Sequence, residues 1–512
     1  MIEQQAIIKM IFGFKAKYLR QQQGLSLEEL AERASLSKSY LHDIEKGKKY
    51  PKVDKINAMA QALGVDYDFM VSTRASKKLQ PIIDLLTSDF VKEFPLELFG
   101  ISPDKLFELF SNTPDKVNAF ISTLFKITRN YQMQREHLYL AALRSYQDMY
   151  DNYFEELERS VRAFRTAFQI KDTRPYTPSF LEQLLREHFG ITTDRKAMPR
   201  EKELKRQRSL YSPNHKTLFL NEGLSSAQEN FLLGRELAFQ YLKFTERPYF
   251  TRIVETDSFE KLLNNFKASY FSVALLMDEQ RMVEDIRSFA QRTSWEPKAF
   301  LHLLDEYDVT PEMLLQRLTN LLPHHFDIKD LFFLRMVSDE SLQGFQMTKE
   351  LHLSQLHNPY ANELSEHYCR RWVSVNIIKK VKANQQLHND TAPAADAQIS
   401  QYWETPNRYL CISVAKPDFQ NPARGTSVTV GLLVNDTLRR LFRFLDSPEL
   451  PTRIVNTTCE RCSISNCEAR AAAPAVLEQQ RKQERILVAG KRLERSGSAG
   501  QDSKPGAQIY LG

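Results

Sequence analysis

Gly24–Lys52 reads GLSLEELAERASLSKSYLHDIEKGKKYPK. Its punctuation predicts short helices rather than strands. Ser26 stands before an apolar-periodic run and Glu29 follows three residues later, which is a capping box. Leu27, Leu30 and Ala31 then share one face. Ala34–Ser35–Leu36 makes a short turn. Ser37 can cap a third helix running to Glu45, with Leu41 and Ile44 inward, and Gly47 fits the position after a helix end. Upstream, Phe14–Leu25 reads as a helix stopped at Gly24. Downstream, VDKINAMAQALG gives a fourth, with Val53, Ile56, Met59 and Leu63 at helical spacing and Gly64 as its stop.

LEELAERASLSKSYLHDIEKGKKYPK resembles the Cro/repressor type of helix-turn-helix, in its small Ala31, its apolar Leu36 and Ile44 and its E-x-G turn. The resemblance pairs Arg20 with Glu45 structurally and makes Ser37–Glu45 a recognition helix. Lys38, Ser39, His42 and Asp43 then face the major groove, where side chains reach base edges. Lys46, Lys48 and Lys49 suit phosphates, which position without specifying. It also implies a homodimer on paired half-sites of a double-stranded DNA operator. A plain helical bundle with a solvated basic face is the alternative.

The 512 residues are too many for one core. Hydrophobic content of 42% lets most of the chain fold, and a net charge of +6 permits an acidic partner without demanding one. Five cysteines in a chain this long are not a disulfide scaffold. No run of about 18 apolar residues suggests a membrane span, and the first residues lack the pattern of a secretory signal. A cytoplasmic protein in a reducing compartment is expected.

We divide the chain at 1–75 (DNA-binding head), 76–172 (helical connector), 173–360, 361–480 and 481–512. In the connector, Phe107, Leu109, Phe110, Phe120, Ile121 and Phe125 suggest packed helices. Tyr131–Phe168 has no Pro or Gly and reads as one helix of roughly 55 Å. Its stripe of Leu138, Met149, Tyr153, Leu157, Val161 and Phe164 is intrachain core or a dimer seam. In 173–360, LYSPNHKTLFLNEGL reads as a hairpin turning at Pro213–Asn214–His215, followed by a helix from about Ser226.

That layout resembles the peptidase-like domain of the IrrE/ImmA type, whose helix carries H-E-x-x-H, two zinc histidines and a glutamate that activates water. Here the aligned stretch is Arg235-Glu236-Leu237-Ala238-Phe239. The glutamate stays, and neither Arg nor Phe can ligate zinc. A degenerate zincin-like domain with no enzyme activity follows, with Glu236 a surface or ion-pair residue. A metallopeptidase acting on a partner repressor is the alternative.

In 361–480, Cys369 lies in HYCRRWVSVNIIKKV, a helix. RYLCISVAKP and TSVTVGLLV alternate as strands, and NDTLRRLFRFLD reads as a helix. CERCSISNCEAR then sets Cys459, Cys462 and Cys467 in a C-x2-C-x4-C spacing. Cysteine thiolates are soft ligands suited to iron–sulfur clusters and zinc. Cys369 is the candidate fourth ligand, while Cys411 alternates along an apolar strand as core. Free thiols, acting as a redox switch or merely buried, are the alternative. Arg470 could bond sulfurs or a ligand phosphate, or lie plainly on the surface. After 480 the chain becomes charged and then Gly/Ser-rich, which predicts a disordered tail.

The order of parts, with Cys369 and Trp372, then Cys459, Cys462, Cys467, Arg470 and Ala471, resembles bacterial regulators of short-chain fatty acyl metabolism, including those of propionate and glyoxylate-pathway genes. The resemblance implies a transcription factor responding to short-chain acyl-coenzyme A, some members holding a 4Fe–4S cluster. Arg370, Arg371, Arg439 and Arg440 are available for its phosphates. A constitutive DNA-binding scaffold is a further alternative. The expected fold is multidomain, mainly α with a smaller α+β part: helix-turn-helix bundle, helical connector, degenerate zincin-like domain and C-terminal α+β sensor domain.

Overall fold

The computed structural model describes residues 4–72, 99–100, 135–171, 175–205, 207–248, 258–353, 366–418 and 421–498. The expected packing of Phe107, Leu109, Phe110, Phe120, Ile121 and Phe125 lies outside them. The chain forms two compact units, one holding the head and one holding the large sheet.

The head is α1 (Gln4–Gln22), α2 (Leu27–Arg33), α3 (Lys38–Glu45), α4 (Val53–Leu63) and α5 (Tyr67–Val71). The capping box closes in both directions, Glu29 N–H to Ser26 Oγ at 3.1 Å and Ser26 N–H to Glu29 Oε2 at 2.6 Å. Leu30, Leu41, Ile44, Ile56, Met59 and Leu63 form the core with Phe12 of α1, each large side chain contributing about 1.5–3 kcal/mol by burial. Gly13 lets α1 press onto the end of α3, since a Cβ there would lie 2.2 Å from the Ile44 carbonyl oxygen. Lys15 has no accessible surface; its ammonium donates to the carbonyls of Phe69 and, at 2.6 Å, of Ser72, capping α5. Burial pulls its pKa down to about 8.

The long helix expected over Tyr131–Phe168 is broken into α6 (Arg135–Met149) and α7 (Glu155–Ala167). Asp151 and Asn152 stop it, at φ of 49° and 55°; short polar side chains tolerate this left-handed region better than most, and no sequence rule placed them there. Tyr153, Leu157, Val161 and Phe164 are core of this chain, whereas Met149 is exposed. Next come α8 (Pro178–Phe189), β1 (Thr192–Asp194), the β2–β3 hairpin (Ser209–Ser212, Thr217–Leu220) and α9 (Ser226–Tyr241). Four helices follow: α10 (Phe259–Leu276), α11 (Glu279–Ala290), α12 (Pro297–Tyr307) and α13 (Pro311–Phe326).

The second unit is organised by a six-stranded sheet of β4 (Leu331–Ser338), β5 (Phe345–His352), β6 (Ala394–Tyr402), β7 (Arg408–Pro417), β8 (Gly425–Leu433) and β9 (Thr452–Val455), in the order β5-β4-β8-β7-β6-β9. All neighbours are antiparallel except β6 and β9. β7 and β8 are the two strands the alternation predicts. The sheet also takes β4 and β5 from before residue 360, because LFFLRMV is buried on both faces and loses its alternation. Helix α14 (Val373–His388) covers one face, where Phe332, Trp372, Tyr409 and Cys411 share a core. Gly431 leaves room for the Phe332 ring, 2.1 Å from where a Cβ would stand. On the other face, Ile412, Val430 and Leu432 meet Phe289, Phe300 and Leu318 of the helices.

Asp436–Leu441 (α15) begins the expected short helix. The tail differs from expectation: Ala475–Ser498 (α16) is helical, not disordered from 481. Leu, Gln, Glu, Arg and Lys carry high helix propensity and dominate its length, with glycine only at 490 and 497. Among the described residues no helix is long and apolar enough to cross a membrane.

Glu158 and Arg317 form a buried ion pair, 3% and 0% exposed. Glu158→Ala leaves that guanidinium uncompensated, and a loss of about 3–5 kcal/mol in denaturant unfolding is expected. The double change Glu158→Met with Arg317→Leu is expected to recover most of it.

The Lys15 ammonium makes a second, pH-dependent prediction. A lysine whose folded pKa is depressed binds fewer protons than in the unfolded chain, so its contribution rises with pH between about 8 and the unfolded value. Relative to Lys15→Met, the native head is therefore expected to gain stability over that window, read by unfolding at pH 7, 8, 9 and 10.

Candidate nucleic-acid interface and thiol site

Ser37 caps α3, its Oγ accepting from Tyr40 N–H at 3.2 Å. Arg20 holds the other end through a paired contact, Nε to Glu45 Oε1 at 2.7 Å and Nη2 to Oε2 at 2.8 Å, and also donates to the Leu25 carbonyl at 2.8 Å. Glu45 is 4% exposed, so this bidentate pair is a structural tie between α1 and α3. With Leu41 and Ile44 buried, the outer face of α3 is left to Lys38, Ser39 and His42, all exposed.

Asp43 is half-buried and engaged by Lys49, whose Nζ lies 2.8 Å from Oδ2 and 5.6 Å from the centre of the Tyr40 ring. Hydrogen bonding from Lys49 holds the Asp43 carboxyl below its ordinary range. Asp43 thus shapes the turn after α3, where its carbonyl accepts from the N–H groups of Lys48 and Lys49 at 2.9 and 3.3 Å. Lys38 is ion-paired with Glu28; Lys46 and Lys48 extend from the turn, exposed.

An antiparallel bridge between Tyr368 and Thr458 brings the Cys369 and Cys459 segments side by side. Cys369 N–H donates to the Thr457 carbonyl at 3.0 Å and Cys459 N–H to that of His367 at 2.8 Å. The crossing is locked on both sides. Glu460 accepts from His367 N–H at 2.9 Å and contacts its Nδ1 at 2.7 Å, while Glu366 accepts from Arg461 at 2.6–3.0 Å and from Thr458 Oγ1 at 2.6 Å. Cys369, Cys459 and Cys462 are buried and Cys467 half-buried. Burial pushes the Cys369 thiol up, and the neighbouring Cys459 and Cys462 push it the same way.

Arg470 is neither a sulfur donor nor a plain surface residue. It clamps the loop by donating to the carbonyls of Cys459 at 3.0 Å, Cys462 at 3.2 Å and Ile464. Ala471 N–H donates to Cys459 Sγ at 3.3 Å. Arg370, which sequence left as one of several basic residues, is 8% exposed and stacks 4.6 Å over Phe345. Its Nη2 donates to the Gln343 carbonyl, Nη1 has no hydrogen-bond partner among the described residues, and burial pulls the guanidinium below its ordinary range.

These residues fit a soft metal or cluster in chemistry but do not close around one. A thiolate-ligated group is anionic, and the buried Arg370 guanidinium, whose Nη1 has no hydrogen-bond partner among the described residues, lies within electrostatic reach of Cys369 and Cys459 as well as of Asp339 and Glu460. Yet among the described residues no three His, Cys, Asp or Glu side chains stand where they could hold a metal ion. Cys411 is apart from this question: it is core, its thiol pushed up to about 12 by burial.

The other basic candidates are tied locally: Arg371 donates to the Ile454 carbonyl at 3.4 Å, Arg439 to Asp446 at 2.8 Å and Arg440 to Thr437 at 3.2 Å. A groove of about 420 Å³ opens elsewhere, lined by Val161, Arg162, Arg165, Ile170, Ala274 and Glu279 among others. In the zincin-like part, Arg235 and Glu236 are 8% and 2% exposed, so the expectation of a surface glutamate is corrected: α9 is enclosed on most sides. Phe239 stacks against the Arg247 guanidinium at 4.1 Å.

Residues 17–70 match the protein family described as Helix-turn-helix, and residues 186–319 the IrrE N-terminal-like domain. The chain is 39% identical over 62 residues to the immunity repressor protein of Bacillus phage phi105, covering 12% of this chain and 43% of the repressor. It is 34% identical over 65 residues to the uncharacterized HTH-type transcriptional regulator y4dJ of Sinorhizobium fredii, covering 13% of this chain and 84% of that protein. It thus spans less than half of the phage repressor's length. A solved Mycobacterium tuberculosis transcriptional regulator aligns at a TM-score of 0.46 and 16% identity, over 64% of this chain and 92% of that one. That likeness is too distant to carry an argument.

A thiol-labelling order follows from burial. With a maleimide at pH 8, Cys467 is expected to react first and Cys411 last, read by peptide mass. Arg470→Lys, which loses the three-carbonyl clamp, is expected to speed labelling of Cys459 and Cys462 by about tenfold while leaving Cys411 unchanged.

Proposed function

Because the chain belongs to the HTH-type transcriptional regulators, we propose that it controls short-chain fatty acid or central carbon metabolism from the cytoplasm, as a dimer on an operator, in response to short-chain acyl-coenzyme A. DNA binding rests on one observation above all: a capped, tied recognition helix that leaves Lys38, Ser39 and His42 outward and uncovered. In this reading Ser39 and His42 read base edges, Lys38 exchanges Glu28 for DNA, and Lys46, Lys48 and Lys49 hold phosphates. Asp43 acts through Lys49 as a positioning residue.

The ligand half of the proposal is supported by the gathered thiols and by the groove of about 420 Å³, a volume in the ordinary range for small-molecule sites. Arg162 and Arg165 would face the phosphates there, and Val161, Ile170 and Ala274 the apolar part. Both arginines are ion-paired with carboxylates of the groove, so an anionic ligand would exchange those pairs. Cys369, Cys459, Cys462 and Cys467 would hold a 4Fe–4S cluster, or zinc, with Arg370 offsetting its charge. Such a group would supply redox sensing or a structural clip. We further propose that the zincin-like part does not cleave peptides, since Arg235 and Phe239 offer no zinc ligand.

Selection of bound sequences from a random DNA pool tests the head. One enriched half-site motif is expected, with Ser39→Ala or His42→Ala each relaxing one base position by about 1–3 kcal/mol; a pool without enrichment overturns it. Iron, sulfide and zinc per chain, measured after anaerobic purification, test the thiols, and their loss in Cys459→Ser places the group. Operator affinity is expected to shift by about 5–150-fold with acyl-coenzyme A. Affinity indifferent to that ligand and to oxidation would leave a constitutive scaffold.

A further inference from the structure

From Glu478 to Leu493 every residue of α16 is exposed. A 24-residue helix with no buried face along that length draws little stability from packing, and isolated helices are marginal in water. Its charges help it only at its start, where Glu478 stands three and four residues before Arg481 and Lys482 and Glu484 three after Arg481. Arg481 and Arg485 are one turn apart and repel. Neither Arg485 nor Arg492 has an acidic residue three or four positions away on either side (481, 482, 488, 489 for the first; 488, 489, 495, 496 for the second).

Arg481, Arg485, Val488 and Arg492 follow one another at i, i+4, i+7 and i+11, and so form one stripe about 16 Å long. Among the described residues no carboxylate pairs with these arginines; Arg485 Nε turns instead to the Arg481 carbonyl at 3.3 Å. Lys482 and Lys491 flank the stripe. A row of guanidiniums that pair with no carboxylate among the described residues suits an anionic surface as long as itself.

We propose that this stripe is a second DNA contact, with α16 lying along the phosphate backbone of duplex DNA. The occupant is chosen by charge complementarity and by the head, which brings the chain to DNA; the proposal therefore rests on the head's reading. Guanidiniums bond phosphate oxygens bidentately, which favours Arg over Lys in such a row. The contact carries no sequence information. It adds affinity and salt dependence to a head whose recognition helix is short.

The test uses the full chain and the variant Arg481→Gln/Arg485→Gln/Arg492→Gln, with truncation after Glu478, which keeps the Leu477 N–H bond to the Glu460 carbonyl, as a second variant. Because the stripe is exposed and has no contact with the rest of the fold among the described residues, both are expected to keep the native melting temperature. Affinity for operator and for random duplex is measured from 50 to 300 mM salt. Every phosphate that the variant leaves unneutralised lowers the slope of log K against log salt by about 0.9, so a fall of about 2–3 is expected. Affinity at low salt should drop about tenfold or more for both duplexes, leaving their ratio unchanged.

An unchanged slope overturns the proposal. If Ile486→Glu/Leu493→Glu then turns a dimer into a monomer, the helix is a self-association surface. If the native chain instead binds phosphatidylserine vesicles and the triple variant does not, it is a membrane surface. Operator preference weakened in Ser39→Ala but kept in the triple variant separates the two readings: the head stands even where the stripe fails. A native chain that binds no duplex overturns both.

Discussion

Arg317 has no accessible surface, yet its charge is met in full. Glu158 of α7 accepts from both terminal nitrogens, and the Met277 carbonyl accepts from Nε at 3.2 Å. Tyr270 of α10 donates to the same carboxylate at 2.7 Å and accepts from Phe154 N–H at 3.3 Å. Just before α7, Asn152 donates to Thr319 Oγ1 at 2.9 Å and its carbonyl accepts from Asn320 at 2.8 Å. One buried pair thus fixes α7, α10 and α13 together. The sheet depends on this, because α13 packs on its outer face through Leu318 and Leu322. Such a pair adds little net stability over apolar residues of the same shape, but removing one partner is costly, so it enforces one arrangement of these helices.

What was legible in the sequence is what local rules write. Ser26, Glu29, Ser37, Gly47 and Gly64 mark the ends of the head's helices within a few residues of where they act, and the structure uses each one. The Arg20–Glu45 tie came from resemblance and is confirmed by geometry. The strands β7 and β8 came from alternation. The Glu158–Arg317 pair was invisible because its partners are far apart in the chain and each reads as an ordinary surface charge. For the same reason Tyr131–Phe168 read as one helix: the left-handed Asp151–Asn152 stop has no Gly or Pro to announce it.

The thiol site shows the same division. The C-x2-C-x4-C spacing is local and could be read directly. The bridge that brings Cys369 to Cys459, the Glu366–Arg461 and His367–Glu460 locks, and the orphaned Arg370 nitrogen are not local. Arg470 shows how spacing can mislead about role. Its place after the cysteines suggested a ligand contact, but it instead donates to three carbonyls of the loop 459–464. A guanidinium with five donors suits that task, since it can bond several diverging carbonyls at once.

Helix α9 places Arg235 and Phe239 where the H-E-x-x-H pattern has its two histidines. A zinc site requires two lone-pair donors facing an open coordination position that water can enter. At the first ligand position Arg235 is nearly buried, and at the second Phe239 is 2% exposed. The Phe239 ring is covered by Arg247, whose guanidinium also lies 4.4 Å from Tyr211. Restoring one histidine would not rebuild the site, because the second position now belongs to an aromatic stack and Glu236 is enclosed with its helix. Glu236, 2% exposed, is held within the packing of the helix that carries it.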